Sequence, residues 1–191
     1  MIRRAFALAA FATVLTGCAT SSANLSHANV APYRDTLSLT GHLSVNYQKD
    51  GQPQPISGKF EWDQAPGRVN VTLASPLGQT IAQISVTPES ATLTQANRPP
   101  RVARDLDTLT RESLGWSLPV SGLRDWLQGY ATTADGTRFT ASPAANKVTT
   151  SDGWRLRFVS WQDDAAAVPQ PKRIDAERAE LSIRIFIDPA A

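Results

Sequence analysis

Leu37-Ser-Leu-Thr-Gly-His-Leu-Ser-Val-Asn-Tyr47 alternates without a break. Leu37, Leu39, Gly41, Leu43, Val45 and Tyr47 fall on one side; Ser38, Thr40, His42, Ser44 and Asn46 fall on the other. Successive side chains of a strand point to opposite faces, so this period of two specifies a β-strand with one face buried and one in water. Downstream the pattern repeats in shorter pieces. Lys49 to Pro55 reads as a turn, and Gly58, Phe60 and Trp62 then oppose Lys59, Glu61 and Asp63. Ala65-Pro-Gly67 turns the chain into Val69, Val71 and Leu73; Ala82, Ile84 and Val86 continue the face, followed by Ala91 and Leu93 after Pro88. Short alternating runs joined by tight turns predict an antiparallel meander.

The period then changes. Val102, Leu106, Leu109 and Leu114 recur at roughly helical spacing, with Arg104, Asp105, Asp107 and Arg111 on the other side and Gly115 as a stop. Pro119 suits a first helical turn, and Leu123, Trp126 and Leu127 form an apolar stripe before Gly129. Strand signals return after Asp135-Gly136. Asn146–Thr150 pairs with Gly153–Trp161 across Ser151-Asp-Gly153, placing Trp154, Leu156 and Phe158 on one face. Asp163–Pro171 reads as a loop. Leu181, Ile183, Ile185 and Ile187 close the chain as an alternating strand, with Phe186 its one outward aromatic. The expected fold is mainly β with an α insert: a curved antiparallel sheet forming an unclosed half-barrel, with helices over the opening. Its inward face carries Trp62, Trp126 and Trp154 among many aliphatics. Such a surface either packs solid or leaves a gap for an apolar ligand, and composition does not separate the two.

One turn breaks the polar rule. In Ala74-Ser-Pro-Leu-Gly-Gln-Thr80, Pro76 and Gly78 make a turn, yet Leu77 occupies its centre. Burying a leucine is worth roughly 1.5–3 kcal/mol, which exposure forfeits. Either the loop folds back and Leu77 plugs the core, or it points outward toward a membrane or an acyl chain. Ile81, also on the polar face by parity, lies four residues away.

The N-terminus carries an address. Met1-Ile-Arg-Arg4 is basic, Ala5 to Leu15 is apolar but too short to span a bilayer, and Leu15-Thr-Gly-Cys18 resembles a bacterial lipobox. Residues 1–17 are therefore expected to be a lipoprotein signal peptide, with Cys18 diacylated, cleaved and N-acylated. Three acyl chains, at about 0.8 kcal/mol per buried methylene, anchor a protein effectively for good. Ala19 and Thr20 stand where an inner-membrane retention aspartate would be, which points to the outer membrane. Residues 18–35, small and polar, read as a flexible tether, and 36–191 as one folded domain.

Of 19 basic and 17 acidic residues, Arg3 and Arg4 lie in the signal peptide, which leaves a neutral domain without a basic run for nucleic acid. Two histidines and one cysteine are a poor inventory for a metal or for histidine-dependent catalysis. Asp105 and Asp107 point about 200° apart on a helix, so they are not a paired acid and base. No metal, cofactor or catalytic residue is expected, and no enzyme.

The lipobox, Phe60-Glu-Trp-Asp-Gln64, Ser75-Pro-Leu-Gly-Gln79, Leu114-Gly-Trp-Ser-Leu-Pro-Val120, Leu123-Arg-Asp-Trp-Leu-Gln-Gly129 and Asp152-Gly-Trp154 keep an order that resembles the LolB family. The resemblance runs from about Leu37 to Asp188. It implies an outer-membrane receptor and insertase that takes triacylated lipoproteins from the periplasmic carrier LolA into a hydrophobic cavity and places them in the inner leaflet of the outer membrane. It also implies a membrane-inserting loop at Pro76, Leu77 and Gly78, needed for delivery. Candidate cavity residues are Leu43, Val45, Phe60, Trp62, Val71, Leu73, Ile84, Leu93, Leu123, Trp126, Leu127, Trp154, Leu156, Phe158, Ile183 and Ile185. The expected partners are LolA, the acyl chains of cargo lipoproteins and the outer membrane, with the chain itself a monomer. The rival expectation is a structural or adaptor lipoprotein with a filled core and a protein partner.

Overall fold

The computed structural model describes residues 25–104, 106–163 and 166–190. Cys18, the signal peptide and Asp105 lie outside them. The founding alternation becomes β1 (Leu37–Lys49), which pairs with β2 (Gln52–Ala65) along its full length, Leu37 opposite Gln64 and Lys49 opposite Gln52. The expected turn over Lys49–Pro55 shrinks to Asp50-Gly51, both at positive φ, the two-residue hairpin that matches strand twist. Pro53 and Pro55 thus sit inside β2. They are tolerated because β2 meets its other neighbour only from Lys59 onward, so their missing N–H faces no partner strand.

β3 (Arg68–Ala74), β4 (Thr80–Val86), β5 (Ala91–Thr94) and β6 (Arg101–Ala103) extend the meander. Val102 belongs to this edge strand rather than to the helix its spacing suggested. The helix starts later, as α1 (Leu106–Leu114), and ends where the Gly115 N–H donates to the Arg111 carbonyl (3.0 Å). α2 (Val120–Trp126) follows Pro119 and buries Val120, Leu123 and Trp126. A small two-stranded sheet, β7 (Tyr130–Thr132) with β8 (Arg138–Thr140), comes next. Then follow β9 (Lys147–Thr149), β10 (Arg155–Trp161), β11 (Pro171–Arg178) and β12 (Leu181–Ile187).

The main sheet has ten strands in the order β6-β5-β4-β3-β2-β1-β12-β11-β10-β9, all pairings antiparallel. The last strand returns beside the first, with Leu43 opposite Ile185. β6 and β9 do not pair, so the sheet stays an unclosed half-barrel, as expected, with the helices on its concave side.

The expected loop ends at Pro171 and no strand is expected between it and Leu181, where β11 runs as Pro-Lys-Arg-Ile-Asp-Ala-Glu-Arg. Its buried residues are Pro171, Ile174 and Ala176. Its outward charges pair across the sheet. Asp175 stands directly opposite Arg157 on β10 and Arg184 on β12. Arg173 donates to both its oxygens (2.9 and 2.8 Å) and Arg157 to one (3.2 Å). Burial alone would raise the Asp175 carboxyl; the Arg173 and Arg157 hydrogen bonds outweigh it and hold it below its ordinary range. A depressed carboxylate contributes stability above its unfolded pKa, lost as pH falls through the folded value. Asp175→Asn is therefore expected to cost about 2 kcal/mol at neutral pH. In denaturant titrations this gap should begin to narrow as pH falls below the ordinary carboxylate value of about 4, and close only as pH falls through the lower folded value.

The tether needs correcting. Residues 18–35 read as free chain, but 25–35 are docked. Val30 is 6% exposed within the core, and its N–H donates to the Ala141 carbonyl (3.3 Å). The Tyr130 hydroxyl donates to the Ala31 carbonyl (2.6 Å), and Tyr33 meets the Tyr130 ring edge-on with Arg138 over both. The Gln128 amide grips Arg34 like a neighbouring strand, accepting from its N–H (2.9 Å) and donating to its carbonyl (3.0 Å). Small polar composition hid a segment held by backbone hydrogen bonds. Gln128→Ala should speed amide exchange at Arg34 by about tenfold, equivalent to about 1.4 kcal/mol, with little change in global stability.

Candidate functional site

The loop between β3 and β4 is the five-residue connection Ser75–Gln79. The Ser75 N–H donates to the Gln79 carbonyl (2.8 Å), the Gly78 N–H to the Ser75 carbonyl (2.9 Å), and the Gln79 N–H to Ser75 Oγ (3.2 Å). Gly78 has φ +87°, a conformation that leucine or alanine would adopt only with strain. Pro76 and Gly78 hold the turn while Leu77 projects from it, 92% exposed. The alternative in which Leu77 plugs the core is not the one adopted.

Ile81 has a different explanation from parity. Leu73 pairs with Ala82 and Ala74 with Thr80, so Ile81 is the extra residue of a β-bulge. Bulges re-aim side chains. Here Ile81 borders a groove of about 210 Å³ that also touches Leu43, Ile56, Leu73, Leu114 and Trp116.

Beneath the helices the interior is nearly full. Between the sheet and the helical cover lies a wholly apolar cavity of only about 20 Å³, space for roughly one water. From the candidate set, Leu43, Phe60, Trp62, Val71, Leu73, Leu123, Leu127, Ile183 and Ile185 line it. Val45, Ile84, Leu93, Trp126, Trp154, Leu156 and Phe158 do not; they are buried in the packed core around it. Trp126 and Trp154 pack edge to face at 5.4 Å, with the Arg178 guanidinium over the Trp154 ring, so the pair supports the wall instead of forming it. The Trp62 indole donates to Gln64 Oε1 (3.3 Å), and Gln64 in turn donates to the Tyr33 hydroxyl (3.0 Å), tying the cavity wall to the docked N-terminal segment.

The sequence reading missed Leu118, which completes the lining, and Trp116 in the groove. Both come from the connector between the helices, whose buried Trp116 and Leu118 are spaced by two, a strand-like signal too short to register. The Leu118 N–H donates to Thr110 Oγ1 (3.1 Å), so α1 positions the connector. On α2, burial pushes the Asp125 carboxyl up, against the attraction of Arg138 and Arg124. Among the described residues, no group of His, Cys, Asp and Glu is arranged to hold a metal.

An open antiparallel half-barrel, helix-covered over an apolar interior and presenting one leucine on a stiff turn, is the class these features define. Residues 35–189 match the profile of the outer membrane lipoprotein LolB family, and the chain belongs to that family. Relatives named outer-membrane lipoprotein LolB include those of Cupriavidus necator, 42% identical over 85% of this chain and 88% of that one, and Cupriavidus taiwanensis, 41% identical over the same shares. That of Thiobacillus denitrificans is 34% identical over 98% of this chain and 97% of its own. Among solved structures, a LolA superfamily protein from Nitrosomonas europaea overlaps with a TM-score of 0.44 at 7% identity, covering 82% of this chain and 86% of that one.

Proposed function

We propose that this outer-membrane lipoprotein, anchored through Cys18 and facing the periplasm, accepts acylated lipoproteins from the soluble carrier LolA and inserts them into the inner leaflet. Family membership supports the acceptor role. The observation that carries the insertion step is Leu77, held clear of the protein on a clamped turn. A triacylated chain left in water forfeits about 0.8 kcal/mol per methylene, so cargo passes only between sheltered sites. Each site must hold the chains better than the one before, and the bilayer best of all. That gradient needs neither nucleotide nor metal. The cavity residues named above take the chains once the helical cover yields.

The small cavity favours one second reading, an adaptor lipoprotein with a filled core and a protein partner. Mixing LolA loaded with a fluorescent lipoprotein and proteoliposomes carrying this protein separates the two. Transfer to the bilayer without ATP is the expected result; cargo remaining on the carrier leaves the adaptor reading standing.

A further inference from the structure

The groove beside the protruding loop and the small cavity are neighbours through shared walls. Leu43 and Leu73 line both, so a single layer of side chains separates them. The mouth of the groove lies at the feet of the loop: Ala74 and Ile81 border it on either side of the Ser75–Gln79 turn. The connector between the helices runs along the same boundary, with Trp116 on the groove and Leu118 on the cavity.

We infer that this groove is the doorway by which an acyl chain passes between the membrane at Leu77 and the cavity. The inference rests on the acyl-acceptor reading above and adds a route to it. Leu43 and Leu73 are the side chains that must swing aside. They can do so because the groove on their outer side is already empty. The bulge at Ile81 acquires a purpose: it turns an apolar side chain toward the doorway where strand parity would have sent it into solvent. The pinning of Leu118 to Thr110 means that the connector shifts together with α1, so the doorway and the cavity widen in one movement.

The test uses the full lipidated protein in proteoliposomes and a fluorescent dipalmitoyl-glyceryl lipopeptide delivered from LolA. Ile56→Trp narrows the groove without touching the cavity. Ile81→Trp, at a position already 40% exposed, provides the same obstruction should Ile56→Trp fail to fold. At least tenfold slower passage to the bilayer, with the amount of cargo bound at equilibrium within about twofold of wild type, is the expected result. Wild-type rates in a folded blocked variant overturn the doorway. Failure of the wild type to take cargo at all overturns the underlying acceptor reading instead.

Discussion

Leu77→Glu should leave folding untouched and stop delivery to the membrane. The side chain is 92% exposed and its turn is closed by backbone and Ser75 hydrogen bonds that do not involve it. Surface changes of that kind stay within about 0.5 kcal/mol in stability. Function responds differently. A leucine dipping into the leaflet gains roughly 1.5–3 kcal/mol, and a glutamate there adds a charge penalty instead. The combined swing predicts a loss of at least about a hundredfold in the rate of transfer to liposomes. Loading from LolA should stay near wild type. Leu77→Ala, which gives up apolar area without adding charge, should fall between the two. A variant that still delivered cargo at the wild-type rate would remove the loop from the mechanism. One in which loading failed as well would place Leu77 in the carrier interface.

Why Leu77 was ambiguous in the sequence, while β1 was not, is a matter of how many residues vote. The β1 alternation is agreed by every position from Leu37 to Tyr47, and β12 repeats it. A lone leucine in a turn has no neighbours of its own period, and only the backbone geometry of Ser75–Gln79 decides where it points. β11 failed for the opposite reason: its outward charges look unfavourable until Arg157 and Arg184 stand opposite Asp175, and those partners are distant in sequence. The docked segment 25–35 is another case, because Gln128 and Tyr130 bind its backbone, which has no sequence signature. Of the cavity, the strand contributions were legible through parity. Which inward residues form wall and which form support was not, because that depends on where α2 and the connector settle across the sheet.

The size of the cavity leads to a second strong expectation, with opposite signs for stability and uptake. Leu123 sits on α2 facing the cavity, 6% exposed. Leu123→Ala removes packing from an interior that has almost no slack, at a cost of about 3 kcal/mol in denaturant titrations. In a plain structural core that loss is the whole effect. In a carrier whose cavity must open before it can fill, the same substitution supplies part of the opening in advance. An apolar void stays dry and accepts apolar guests. Uptake of a fluorescent fatty acid by Leu123→Ala should therefore be about tenfold faster than by wild type. Saturating ligand should return much of the lost stability, about 2.7 kcal/mol at a hundred times Kd. Wild type, already packed, should gain less from the same ligand because it spends binding energy on displacing its own side chains. A variant that is merely less stable, takes up no fatty acid and gains nothing from it would mark the space under the helices as core, and the adaptor reading would then account for the protein.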